Sequence, residues 1–183
     1  MITAARNNRN CVFSLLDGKS LPTEDITISL GTGEEKTVRI SYETTPYFES
    51  RPYGLSTVKC GSLVFSVPVK YEKKMYEYEN GGKERKFPYC DYEYIPTSDW
   101  NFAYSSDTLT PEYRNVSDTP FSSYAPAMVI KTQVKQIEWG LEDGYETVCA
   151  KVPESREPIS KAKDIELHPY GCAKLRMTEI PKI

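Results

Sequence analysis

The segment Leu167–Pro181, LHPYGCAKLRMTEIP, decides how this chain folds. It contains Pro169-Tyr170-Gly171. Because proline fixes φ and glycine reaches conformations that other residues avoid, this tripeptide predicts a tight reversal. From Ala173 onward apolar and polar residues alternate, with Ala173 and Met177 on the same side. A period of two is typical of a half-buried strand. The segment therefore predicts a turn followed by a closing strand, which Pro181 ends.

The same alternation recurs along much of the chain. Ile26–Leu30 and Val38–Tyr42 flank a glycine-containing loop and predict a hairpin. Leu63–Val69 carries the longest strand signal, while the charged stretch Tyr71–Lys86 is centred on Asn80-Gly81-Gly82 and predicts an extended, exposed hairpin. No stretch keeps a helical period over three turns. The pattern therefore predicts an all-β fold, a β-sandwich similar to a jelly roll.

Composition narrows the class of protein. The 183 residues carry a formal net charge of -3 with both signs scattered, which argues against a nucleic-acid binder. Apolar runs are only a few residues long, which argues against a membrane protein. The start, Met1–Asn10, lacks the apolar stretch of a secretory signal, so we expect a cytoplasmic location.

The length suits one domain with a sizeable core. We therefore predict a single β-sandwich domain over residues 1–183. Residues 34–183 form its main part. Residues 1–33 are a start with a weaker strand pattern.

The closing segment also resembles a known family. His168–Glu179 is similar to the terminal motif of bacterial glycoside hydrolases of family 127, the β-L-arabinofuranosidase family. Cys60–Phe65 resembles a strand that usually reads Arg-Gly-Pro-Leu-Val-Phe/Tyr there, with departures at Cys60 and Ser62. Tyr92–Ala103 resembles the Trp-Asn-Tyr-Ala segment that follows it. The resemblance runs in order from about residue 36 to the end.

The resemblance concerns only the β-sandwich part of that family. There, chemistry belongs to a separate helical (α/α)₆ barrel, in which a cysteine nucleophile sits with other cysteines and a glutamate around zinc. None of those residues maps onto this chain. The resemblance implies a non-catalytic accessory module that supports a carbohydrate-active barrel on another or a missing chain. Self-association and a free-standing carbohydrate-binding module around Trp100 are the alternatives.

The residues themselves offer little catalytic chemistry. His168 is the one histidine and sits beside a proline, which favours a structural turn residue over a general base. The five cysteines are widely separated, so we predict no metal site and no cofactor. Asp91 and Glu93 would share a strand face about 7 Å apart, as in inverting glycosidases, but a solvated face is the better interpretation. An enzyme with an unrecognised site is the least favoured hypothesis.

Aromatic residues are densest in the segment that follows the charged hairpin. Exposed tyrosine and tryptophan rings can stack on sugars, since each offers a flat apolar face with a polar tip. The candidates for carbohydrate or partner contact are Tyr92, Tyr94, Trp100, Phe102 and Tyr104. Packing between sheets or against a neighbouring domain is the other interpretation of the same rings.

Overall fold

The computed structural model describes residues 2–4, 11–15, 26–35, 37–42, 44–80 and 83–183. The chain divides into two compact units, Met1–Thr45 and Pro46–Ile183. The first unit contains four strands: β1 (Ile2–Ala4), β2 (Cys11–Leu15), β3 (Ile26–Ile28) and β4 (Val38–Tyr42). The second contains β5 (Tyr47–Arg51), β6 (Leu55–Cys60), β7 (Leu63–Pro68), β8 (Tyr71–Tyr76), β9 (Tyr78–Asn80), β10 (Lys83–Arg85), β11 (Asp91–Pro96), β12 (Phe102–Tyr104), β13 (Thr110–Tyr113), β14 (Met128–Gln136), β15 (Lys163–Pro169), β16 (Arg176–Met177) and β17 (Ile180–Pro181). Two 3-10 helices, Pro52–Gly54 and Tyr170–Cys172, are the helical elements of the described residues.

The prediction that β3 and β4 of the first unit pair as a hairpin is wrong. β3 pairs with β1, and β4 pairs with β2, both antiparallel. Alternation identifies a strand but does not say which strand lies beside it, so local order suggested the wrong partners. The pairing of β4 with β2 also explains why the first unit extends to Thr45, beyond the start assigned from sequence to residues 1–33.

The second unit is built on one curled antiparallel sheet, and the prediction of an all-β fold is confirmed. Its main path runs β12-β14-β15-β7-β6-β17, with β5, β13 and β16 attached at the side. The two ends of the path meet, because Lys182 bridges Tyr104 in parallel and the Ile183 N–H donates to the Tyr104 carbonyl at 2.9 Å. A jelly-roll connectivity stays a prediction.

The inside of this curled sheet is the core of the second unit. Side chains from most strands of the path meet there without exposure to water, which supplies the main favourable term of folding. The largest of them are Phe65, Tyr104, Ile130, Ile137, Leu167 and Ile180. The strand predicted along Leu63–Val69 is present as β7, and Phe65, Val67 and Val69 are buried, but Ser66 between them is buried as well.

The segment Leu167–Pro181 is more broken than one closing strand. The predicted reversal is present as the 3-10 helix Tyr170–Cys172, but regular strand follows only as β16 and β17. Pro181 is the last residue of β17 and lies opposite Leu55, which agrees with the prediction that it ends the closing strand. Proline is tolerated in a strand where its nitrogen has no ladder bond to donate, and a two-residue strand at the end of the chain meets that condition.

The end of the chain splits a hairpin. β6 and β7 pair directly near their turn, as far as Val58 and Phe65. Beyond those residues β16 takes β7 as its partner, and β17 takes β6. Residues 176–181 therefore lie as a wedge between two strands that would otherwise continue to pair.

Three hydroxyl groups meet at the point of the wedge. The Thr57 hydroxyl donates to the Thr178 carbonyl at 2.9 Å, and Ser66 Oγ and Thr178 Oγ1 share a hydrogen bond of 3.0 Å. Thr57 and Ser66 are buried, at 4% and 0% exposure. Hydroxyls buried in this way need partners, and Thr178 supplies one to each.

We expect Thr178→Val to lower the free energy of unfolding by about 1–3 kcal/mol, because it leaves the buried Ser66 hydroxyl without its partner. Urea unfolding of Thr178→Val, Ser66→Ala and the double variant measures this directly. The double variant should lose less than the sum of the two single losses, by at least about 0.5 kcal/mol. Exposed Thr108→Val is the matched control, and strictly additive losses would contradict the shared hydrogen bond.

Candidate functional site

A two-stranded ribbon extends from the curled sheet. β8 and β11 pair along their whole length, from Tyr71 opposite Pro96 to Tyr76 opposite Asp91. β9 and β10 continue it as an inner hairpin, so the hairpin predicted over Tyr71–Lys86 is found only for Tyr78–Arg85, because β8 pairs with β11. Within the described residues no other strand pairs with β8 or β11, and the ribbon therefore leaves both of its edges unpaired.

One side of the ribbon, here called the aromatic face, is formed by Tyr71, Lys73, Met75, Tyr92, Tyr94 and Pro96. These residues share a side because directly opposite residues of an antiparallel pair point the same way. The rings of Tyr71 and Tyr94 meet edge to face at 4.9 Å. Tyr71 and Met75 keep 40% and 49% of their surface exposed, and Tyr92 and Tyr94 are half-buried.

Two ammonium groups lie over rings of the aromatic face. Lys73 Nζ is 3.7 Å from the centroid of the Tyr92 ring, and Lys174 Nζ is 5.5 Å from that of Tyr94. Attraction between a cation and the negative face of an aromatic ring holds both in place. A hydrogen bond with Cys90 raises the pKa of the Tyr92 hydroxyl, which therefore stays protonated.

The opposite side, here called the acidic face, is formed by Glu72, Lys74, Tyr76, Asp91, Glu93 and Ile95. Tyr76 donates to Glu93 at 2.8 Å and Tyr78 donates to Asp91 at 2.6 Å, and each bond raises the pKa of its tyrosine. Asp91 and Glu93 are thus exposed acceptors on a solvated face, which is the preferred interpretation of this pair.

The other aromatic candidates lie in or against the core. Phe102 and Tyr104 are 2% and 0% exposed, so the structure gives them the packing role that the sequence left open. Trp100 is half-buried and meets Trp139 edge to face at 5.8 Å. The five candidates therefore do not form one site. The prediction of a sugar or partner contact narrows to Tyr92 and Tyr94, with Trp100 at the margin of the core.

Burial of Tyr104 determines the state of its hydroxyl group. Its hydroxyl has no hydrogen-bond partner among the described residues, and burial raises its pKa strongly. Its ring meets Phe48 edge to face at 4.9 Å. Tyr104 is a core residue that also receives the end of the chain on its backbone.

Tyr71 and Met75 belong to the aromatic face but were not among the candidates. Both lie in a stretch whose many charges indicated a solvated hairpin. The alternation of Tyr71, Lys73 and Met75 was the available signal, since it places them on one side of a strand. Their pairing with β11, which joins them to Tyr92 and Tyr94, depends on a register that sequence alone does not give.

His168 lines a polar hollow of about 320 Å³ together with Ser98, Asp99, Lys163 and Glu166. Two of its polar side chains already have partners. Ser98 Oγ accepts the Lys70 N–H at 3.0 Å, and Asp99 pairs with Lys163 at 3.2 Å. His168 itself lies in β15, opposite Ser66, and not in the turn where the sequence placed it; its structural role stays a prediction.

Glu166 connects His168 to a charged cluster. Its Oε1 accepts from Arg114 at 2.8 Å, and its Oε2 lies 3.9 Å from His168 Nε2. Burial lowers the pKa of His168, and this outweighs the opposing effect of Glu166. The imidazole is therefore neutral at pH 7, held beside a carboxylate that pairs with arginine.

A second hollow, of about 400 Å³, lies beside the reversal of the closing segment. We call it the Tyr170 hollow; its apolar walls are Leu63, Val64, Phe121, Pro169 and Tyr170, and Ser62 and Thr178 add hydroxyls. Phe121 packs so closely on Gly171 that a Cβ there would lie 3.3 Å from the ring. Tyr170 and Phe121 remain 48% and 54% exposed. The hollow is therefore open to water although most of its lining is apolar.

Three of the described cysteines, Cys90, Cys149 and Cys172, are free thiols, of which Cys149 is exposed. Cys60 and Cys172 are buried, at 3% and 2% exposure. Burial raises the pKa of the Cys172 thiol, which disfavours the nucleophilic thiolate.

The described residues contain no group of three or more His, Cys, Asp or Glu side chains arranged to hold a metal ion. None of the helices that the structure describes has the length and apolar character needed to cross a membrane.

Comparison with known proteins gives one likeness of fold. The chain is similar to a GH127 β-L-arabinofuranosidase from Geobacillus stearothermophilus T6, with a TM-score of 0.44 and 12% sequence identity. The match covers 96% of this chain and 25% of that one, so the chain spans about a quarter of the length of that protein. No family model matches the chain, and no curated protein matches it.

The lowered pKa of His168 predicts a pH dependence of stability. The unfolded chain, with a histidine pKa near 6.5, binds this proton more readily than the folded chain. Stability from this group is therefore fully present above pH 6.5 and is lost as the pH falls toward the folded pKa. Because the chain has one histidine, His168→Gln should remove this part of the fall in urea-unfolding free energy between pH 7.5 and 5.5.

Nuclear magnetic resonance gives the pKa itself. The single imidazole signal of the folded protein should titrate with a midpoint below 6.5. A midpoint at or above 6.5 would contradict the desolvated position of the ring.

Proposed function

We propose that this chain is a non-catalytic accessory β domain that docks on a carbohydrate-active catalytic barrel of the family 127 type. The observation that carries the proposal is the Tyr170 hollow. The segment that resembles the family motif, His168–Glu179, leaves the ring of Tyr170 48% exposed at this hollow, while Pro169 beside it is buried. Open apolar hollows on a protein surface are typical of places where another protein or a ligand binds.

The polar groups of the described residues support a non-catalytic role. The His168 hollow holds a histidine and two carboxylates, but its serine accepts a backbone N–H and its aspartate pairs with lysine. A nucleophile needs an adjacent base that can take its proton, and this geometry does not supply that pair. Chemistry would come from the barrel, and the β domain would position or stabilise it.

Docking can be tested with a family 127 catalytic barrel expressed without its own β domains. We expect the two proteins to co-elute in size-exclusion chromatography. Tyr170→Asp and Phe121→Asp should each weaken the complex at least tenfold, because each replaces an apolar wall of the hollow with a carboxylate that docking would have to desolvate. Tyr124→Asp is the matched control, since Tyr124 lies on the same loop as Phe121 and is 97% exposed.

Two results would contradict this proposal. One is a complex that tolerates both hollow substitutions, or no complex at all with folded wild-type protein. The other is hydrolysis of an aryl arabinofuranoside by the isolated chain that a substitution within the chain abolishes.

A second candidate function, carbohydrate binding by the chain itself, is favoured by the aromatic face. Its tyrosines offer rings with polar tips, and Tyr71 keeps 40% of its surface exposed. The same face could serve an isolated chain or one docked on a barrel. The sugar-contact hypothesis thereby moves from the Trp100 region to the ribbon.

We expect the chain to be retarded in native gels that contain pectin, arabinan or arabinoxylan. Tyr94→Ala should reduce the retardation severalfold, because it removes a ring that meets Tyr71 and lies under Lys174. Tyr124→Ala, which removes an exposed ring elsewhere, should not change it. Equal mobility in all three gels and in a plain gel would remove this candidate.

A further inference from the structure

The two faces of the ribbon differ in charge. The acidic face carries three carboxylates, Glu72, Asp91 and Glu93, and one lysine. That lysine, Lys74, already has a carboxylate partner, because it pairs with Glu146 at 3.5 Å. The aromatic face carries Lys73 and no carboxylate within its six residues, and Lys174 lies over its Tyr94 ring. On the acidic face Asp91 is also paired, with Arg85 at 3.6 Å. The carboxylates of β8 and β11 thus lie on one face of the strand pair, and Lys73 and Lys174 lie on the other.

The cations on the aromatic face are held by rings rather than by anions. Within the described residues neither Lys73 nor Lys174 has a carboxylate at ion-pair distance. The ammonium group of Lys73 lies over the ring of Tyr92, and that of Lys174 lies over the ring of Tyr94. A cation–π contact at an exposed site is worth only about 0.5–1 kcal/mol. An incoming anion could therefore draw either ammonium away from its ring at small cost.

One acidic group lies near this face. The charge of Glu77 contributes to the raised pKa of Tyr92, but its Oε1 accepts the N–H of Phe87 at 2.9 Å. It is engaged at the far end of the ribbon. The part of the face between Tyr71 and Tyr94 has the lysines as its charged groups.

We infer that the aromatic face binds an acidic polysaccharide whose sugars carry carboxylates. This rests on the carbohydrate-binding function proposed above and names its ligand class. A uronate ring combines a flat apolar surface, which suits a tyrosine ring, with a carboxylate at its edge, which suits the adjacent ammonium. Tyr92 and Tyr94 stand about 7 Å apart along β11. Each has a lysine beside it, so ring and charge alternate along the ribbon as they do along such a chain.

The test compares two polymers that differ in charge. Polygalacturonate and its fully methyl-esterified form have the same backbone, and only the first is anionic. In native affinity gels we expect the first to retard the chain at least fivefold more strongly. Retardation by polygalacturonate should also weaken as salt is raised from 20 to 300 mM, since exposed ion pairs are screened.

Matched lysine variants identify the face. Lys73→Met should weaken binding of polygalacturonate about two- to fivefold, as expected for one exposed ion pair. Adding Lys174→Met should weaken it further. Lys74→Met changes the neighbouring residue on the acidic face and should leave binding unchanged or slightly stronger. Circular dichroism should show that all variants remain folded.

The outcomes separate this inference from the function on which it rests. Equal binding of both galacturonan forms, or binding of arabinan alone, would overturn the acidic ligand while leaving carbohydrate binding in place. Binding of poly-L-glutamate but of no polysaccharide would overturn both and indicate an acidic protein partner. Loss of binding in Lys74→Met but not in Lys73→Met would place the ligand on the other face and overturn the inference.

Discussion

The hydrogen bonds of Thr178 hold the end of the chain between β6 and β7, and the closure of the second unit depends on them. Thr178 accepts from Thr57 through its carbonyl and shares a hydrogen bond with Ser66 through its hydroxyl. On either side of it, β16 and β17 take the two strands of the split hairpin as partners. Immediately beyond, Lys182 and Ile183 reach the backbone of Tyr104 at the other end of the sheet. The two hydrogen bonds of Thr178 thus fix the place where the curled sheet closes.

The same segment connects the fold to its surface. Its reversal at Tyr170 forms one wall of an open apolar hollow, and Lys174 reaches the ring of Tyr94 on the ribbon. Tyr170 and Lys174 both belong to the segment His168–Glu179. The proposed accessory domain would use these two places as separate surfaces, the hollow for a catalytic barrel and the ribbon for a glycan.

Sequence predicted the elements better than their partners. Alternation found β7, and proline and glycine found the reversal at Tyr170, because these signals depend on neighbouring residues alone. The predicted pairing of β3 with β4 was wrong, and the single closing strand proved to be two short strands, β16 and β17, because both features depend on residues far away in sequence. The aromatic residues predicted to form one site lie in two separate places for the same reason. Tyr94 and Tyr104 are similar in local pattern, but one lies on an exposed ribbon and the other inside the sheet.

If the ribbon binds the polysaccharide and residues 176–181 close the curled sheet, then the ribbon can be removed without unfolding the second unit. Lys70 and Thr97 lie side by side at its base, since the Thr97 N–H donates to the Lys70 carbonyl at 2.8 Å. The direct measurement is thermal unfolding and polygalacturonate binding of a chain in which two glycines replace residues 71–96. The account predicts a Tm within about 4 °C of the intact chain, a shift that corresponds to less than about 1 kcal/mol, and no binding. An unfolded product, or a folded one that still binds polygalacturonate, would contradict it.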